Sequence, residues 1–153
     1  SGTVDGSSDV PEEDYVVPLH EAAVRREGNQ VTILAWLLMA HFATAAADIL
    51  AAEDIEADVI DVRSLSPFDY DTIGESVRKT GHVVIVEEGP KTGGVSAELA
   101  AGIMEQCGES LMAPITRVAS PDVPVPFAPV LENAYRPDTE RIVGAVRELV
   151  SYD

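Results

Sequence analysis

At 153 residues and 46% hydrophobic content the chain has the size of one domain with a real core, and its formal net charge is −17. That balance argues against nucleic acid, whose phosphates need basic patches, and suits a basic protein partner or simply a solvated acidic surface. No run of about 18 apolar residues exists to span a membrane, the start does not read as a signal peptide, and the single Cys107 excludes an internal disulfide or a CxxC metal site; a cytoplasmic setting is expected.

Ser1 to Asp14, rich in Ser, Gly and Asp, reads as a flexible lead-in, linker or cloning remnant, with the domain proper over 15–153. Tyr15 to Gly28 is a lead segment carrying Arg25-Arg26. Val31 to Trp36 is a compact apolar strand, and a helix is expected from Leu37 to Glu53. Ala57 to Leu65 is a second strand, stopped by Pro67. Asp69 caps a helix to Thr80, with Gly81 as its stop. His82 to Val86 is continuously apolar, as a central parallel strand should be. Gly94 to Cys107 is a helix ending at Gly108, and Pro114 to Ala119 a further strand. Four prolines make Pro121 to Pro129 irregular. Pro137 to Val150 is the last helix. Strands alternating with helices predict parallel β-α-β units: one twisted sheet with helices on both faces.

Chemistry-bearing patterns are few. G-P-K-T-G-G at Gly89 to Gly94 is neither a P-loop nor a GxGxxG turn. The helix start behind Gly93 and Gly94 could hold an anion or meet a partner, or the pair could merely permit a tight turn. Glu87 and Glu88 end a strand and point to opposite faces, a poor paired-carboxylate site; a solvated edge is expected, with a partner or cation contact as the alternative. His20, His41 and His82 lack metal spacing. No GxSxG occurs, Ser96 has no evident base, and Cys107 lacks electropositive surroundings. No catalytic residue, cofactor-binding residue or metal ligand is therefore assigned.

The helix after the first strand carries two apolar stripes side by side. Met39, Ala43, Ala46 and Leu50 form one; Leu38, Phe42, Ala45 and Ile49 form the other. Together they exceed the roughly 100° that packing on one sheet buries. The helix is either enclosed within its own domain or part of a subunit interface.

Several motifs, taken in order, carry a resemblance. They are P-E-E-D-Y-V-V-P-L (Pro11 to Leu19), R-R-E-G (Arg25 to Gly28) and V-I-D-V-R-S-L-S-P-F-D (Val59 to Asp69). They continue with V-R-K-T-G-H-V-V-I-V-E-E (Val77 to Glu88), G-G-V-S-A-E-L (Gly93 to Leu99) and A-P-I-T-R-V-A-S-P-D-V-P-V-P-F (Ala113 to Phe127). The set resembles the C-terminal domain of the transketolase superfamily, and more specifically the beta subunit of thiamine-diphosphate-dependent 2-oxoacid dehydrogenases of pyruvate, branched-chain and acetoin type. The resemblance implies a three-layer α/β/α sandwich, its five-stranded sheet mostly parallel with one antiparallel edge strand. It implies thiamine diphosphate and magnesium for the parent oxidoreductase, held by a pyrimidine-binding domain and the alpha subunit, with no cofactor and no catalytic activity in this stretch alone. The role implied here is subunit pairing and docking to the acyltransferase core through its basic peripheral binding domain.

Two departures bear on that role. Where the family often has Gly-X-Met, this chain has Trp36-Leu37-Leu38-Met39, followed by Ala40-His41-Phe42. Where the family commonly has an acid before Ala-Pro, it has Leu111-Met112. Both read as surface turned apolar, by evolution or by design. The expected interface residues are therefore Leu37, Leu38, His41, Phe42, Ala45, Leu111 and Met112, and Glu87, Glu88, Gly93 and Gly94 form a candidate anion or partner loop. A homo-oligomer is expected in either case, and the alternative function is a self-assembling module, natural or engineered, built on this domain.

Overall fold

The computed structural model describes residue 16 and residues 18–151; the expected lead-in at 1–14 lies outside them. In chain order the elements are β1 (Ala23–Arg26), β2 (Val31–Ala35), α1 (Leu38–Ala51), β3 (Ala57–Asp61), α2 (Tyr70–Thr80) and β4 (Val83–Pro90). After them come α3 (Val95–Cys107), β5 (Thr116–Ser120), α4 (Pro129–Tyr135) and α5 (Thr139–Val150). The sheet runs β1-β3-β2-β4-β5. β1 pairs antiparallel with β3, and every other pair is parallel. This is the mixed five-stranded sheet that the resemblance implied.

Continuous burial follows from the sequence of the central strands. Val31 to Ala35 and Ala57 to Asp61 are buried at every position, because helices cover both faces of a parallel sheet. On one face α1 and α5 pack over Val31, Ile33, Val59, Val84 and Val86. On the other, α2 and α3 pack over Leu34, Ile60, Val83 and Ile85. No described helix is long and apolar enough to cross a membrane.

The helix signals work as expected for α2. Asp69 accepts a hydrogen bond from the Thr72 amide at 3.1 Å, and Gly81 ends the helix with φ 67°. Asp138 caps α5 in the same way, accepting from the Arg141 amide at 2.8 Å. Two elements were not visible in the sequence pattern. β1 is four residues long with charged Arg25 and Arg26, too short to show a period. α4 starts at Pro129, in its first turn, where the proline-rich run ends. β3 stops at Asp61 rather than Leu65, and β4 continues to Pro90 rather than ending at Val86.

Candidate functional site: the carboxyl edge of the sheet

The site is built by two connections that part company. β2 ends at Ala35, and Trp36 to Met39 form a tight turn closed by the Met39 amide on the Trp36 carbonyl at 3.1 Å. Leu37 sits in that turn at φ 54°, ψ −132°, the second position of a type II′ turn, which glycine normally fills. The turn throws α1 onto one face, whereas the segment after β3 leads to α2 on the other. Neighbouring strands whose connections leave on opposite faces open a crevice at their carboxyl ends. Here it is a cleft of about 980 Å³.

The start of α1 supplies one wall, with Leu37, Leu38 and His41; Arg63 to Ser66, after β3, supply another. Trp36, nearly buried, lines the cleft as well. Arg25 on β1 reaches across to the Asp61 carboxylate, with Nη2 at 2.5 Å and Nε at 3.1 Å. Ser64 donates its hydroxyl to the Pro67 carbonyl at 2.9 Å, which shapes the loop.

The glycine loop differs from expectation. Glu87 is buried, not solvated. It lies two residues beyond Ile85, on the face that α3 covers. Its carboxyl oxygens accept from the Ser96 amide at 3.3 Å and from the Ser96 hydroxyl, so the chain's own acidic side chain occupies the start of α3. Gly94 permits this contact: a Cβ there would fall 2.3 Å from Glu87 Oε1 and 2.3 Å from the Pro90 carbonyl oxygen. Gly93 has φ 73° and open space around it, and Glu88 is half-buried. The neighbouring Asp122 accepts from the Thr92 amide at 3.0 Å and hydroxyl at 2.6 Å, and these bonds hold its carboxyl below the ordinary range.

The structure does not bring the expected interface residues into one patch. Leu37 and His41 are exposed and Leu38 half-buried, all at the cleft. Ala45 is exposed one turn further along α1. Phe42 is half-buried, with the Arg136 guanidinium 5.7 Å from its ring centre. Leu111 packs against the α2–α3 core, and Met112 lies exposed over Gly81, at the amino end of β4. On α1, Met39, Ala40, Ala43, Ala46, Ala47 and Leu50 are buried, while Ile49 is exposed.

Sequence reasoning missed a different apolar surface. Phe127 is fully exposed, and Val123, Val125, Val130 and Leu131 around it are each more than half exposed. A signal was present. In V-P-V-P-F the prolines forbid both helix interior and strand pairing, so the alternating apolar side chains have no regular element to carry them inward.

Thiamine diphosphate and magnesium are the cofactors that the resemblance implies for the parent enzyme. Among the described residues no group of three His, Cys, Asp or Glu side chains is placed to hold a metal. The amide at the start of α3 that could meet a phosphate is already bonded to Glu87. The start of α3 therefore does not fit that cofactor.

Comparison with known proteins agrees with this architecture. The family "Transketolase, C-terminal domain" matches residues 20–142. The 2-oxoisovalerate dehydrogenase subunit beta of Bacillus subtilis (strain 168) is 41% identical over 145 residues, covering 94% of this chain and 44% of the relative. The pyruvate dehydrogenase E1 component subunit beta of Porphyra purpurea is 41% identical over 143 residues, covering 94% and 43%. A solved structure described as "Split gene transketolase, inactive beta4 tetramer" superposes with a TM-score of 0.79 at 33% identity, over 95% of this chain and 46% of that one. The chain thus spans less than half the length of the relatives it matches. On family match, identity and sheet order together, this chain belongs to the transketolase C-terminal domain family and is similar there to the beta subunits of 2-oxoacid dehydrogenases.

Proposed function

We propose that this domain serves assembly: it pairs beta subunits of a 2-oxoacid dehydrogenase and offers an acidic surface to the basic peripheral binding domain of the acyltransferase core. The observation that carries the reading is the exposed apolar strip from Val123 to Leu131, with Phe127 fully exposed at its centre. Burying a large apolar side chain contributes about 1.5–3 kcal/mol, so a few per subunit drive association. The tetramer named in the description of the structural neighbour is made of beta chains, and the net charge of −17 suits a basic partner.

Light scattering coupled to size-exclusion chromatography tests the pairing at low and high salt. The expected result is a dimer or larger species that persists in high salt and dissociates in Phe127→Glu with Val130→Glu. A monomeric parent chain would overturn the pairing. An unchanged mass in the double variant would move the interface elsewhere, and Leu37→Glu with Leu38→Glu then tests the carboxyl-edge cleft as the alternative self-association surface.

A further inference from the structure

We infer that the carboxyl-edge cleft is a binding site for a small organic anion with an apolar body, such as a medium-chain carboxylate or phosphate monoester. This does not depend on the assembly role.

Charge is the first argument. The chain carries 27 acids and 10 Lys or Arg, yet the cleft inverts that balance. Two guanidinium groups, Arg25 and Arg63, line it together with the imidazoles of His20 and His41, against the single acid Asp61. Arg25 already neutralises Asp61 through two hydrogen bonds. Arg63 has no ion-pair partner among the described residues, which leaves its guanidinium available for an incoming anion. In a protein of this net charge, a concavity lined by guanidinium groups attracts an anion that the acidic surface repels.

Shape is the second. At about 980 Å³ the cleft is at the upper end of the size range of small-molecule pockets. Its lining combines apolar surface from Trp36, Leu38 and Leu65 with the few cations. That mixture selects an amphipathic anion over a bare one, because the apolar body must leave water for the site to gain from the leucines and the indole.

Backbone strain is the third. Among the described residues four non-glycine residues have positive φ: His20 at 73°, Leu37 at 54°, Asp54 at 61° and Arg63 at 55°. All except Asp54 line this cleft. Such conformations cluster where side chains must be aimed at a ligand.

Trp36 is the chain's single tryptophan, so its fluorescence reports on the cleft alone. The 153-residue chain is titrated with octanoate and, separately, octyl phosphate. Octan-1-ol and inorganic phosphate supply the apolar body and the anion alone. The expected result is a saturable one-site change with at least one of the two amphipathic anions and none with either control at equal concentration; which of them binds more tightly identifies the head group. Arg63→Asn removes the charge while keeping a residue that tolerates positive φ, and raises the apparent Kd about tenfold, the loss of a charge-assisted hydrogen bond. His41→Gln, on the exposed start of α1, is a second variant expected to weaken binding less. Urea midpoints of both variants confirm that they fold. An equal response to octan-1-ol, no saturation with either anion, or an unchanged Kd in a folded Arg63→Asn variant would overturn the site.

Discussion

Leu37 carries a backbone conformation that its own side chain opposes. At φ 54°, ψ −132° the Cβ of any L-residue is crowded, at a cost of about 1–3 kcal/mol. Leu37→Gly relieves this, while the added freedom of glycine in the unfolded chain returns about 0.5–1 kcal/mol. A net gain of about 1 kcal/mol is expected, read as a higher urea midpoint at unchanged slope. A lower midpoint would mean that Leu37 packs more favourably than its exposure of 76% suggests. The sequence flagged this position as a departure from Gly-X-Met, and the structure adds a backbone conformation that glycine takes without crowding. Gly94 shows the converse. Its Cβ position is filled by the Glu87 carboxylate and the Pro90 carbonyl, so Gly94→Ala is expected to cost about 1–3 kcal/mol as overpacking does, visible in the same urea titration. Sequence placed Gly94 and Glu87 on one loop. It did not show that the strand end turns Glu87 beneath α3.

Among the elements, α2 was the most legible, and one residue ties it to the least legible. Asp69 accepts from the Thr72 amide and hydroxyl as an N-cap, and also from the Ala22 amide at 2.9 Å, at the entry to β1. Partial burial pushes its carboxyl up, but the hydrogen bonds from Ala22 and Thr72 outweigh this and hold it below the ordinary range. A depressed folded-state pKa contributes stability that is present above the unfolded-state value and is lost as pH falls through the folded-state value. Asp69→Ala is therefore expected to destabilise by about 1–2 kcal/mol at pH 7, with the difference from the parent shrinking as the pH is lowered through the acidic range. Urea unfolding at several pH values measures it; a pH-independent gap would show that Asp69 acts by packing alone. The cap was readable because Asp69 and Gly81 sit one helix length apart. β1 was not, because four half-exposed residues have no period of their own and pair only because β3 offers an edge.

For the whole molecule, charge is the dominant feature. Four of the ten cations are ion-paired among the described residues. Arg25 pairs with Asp61, Arg26 with Asp48 and Glu56, Lys79 with the buried Asp58, and Arg147 with Glu53. Hydrogen bonding to Arg147 holds Glu53 below its usual range. The remaining acids repel one another across the surface, and self-repulsion disfavours the compact state. Raising NaCl from about 0.05 to about 0.5 M shortens the Debye length and is expected to raise Tm by about 3 °C, equivalent to about 1 kcal/mol for a domain of this size. Thermal unfolding followed by circular dichroism checks this. A falling Tm would mean that the ion pairs outweigh the repulsion.

By itself the sequence determined the alternation of strands and helices, the parallel central strands, the helix caps and the acidic surface. Each is written in composition or in a period of two or about 3.6 residues, and such periods fix which way neighbouring side chains point. Only the tertiary structure decided what lies beside what. It carried Leu37, Leu38 and His41 to one end of the sheet and Met112 to the amino end of β4. It placed Glu87 against Ser96 and gathered Arg25, Arg63 and His20 around Trp36. It left Phe127 uncovered. Those juxtapositions depend on which face each crossover takes and where each strand enters the sheet, and no local period encodes either.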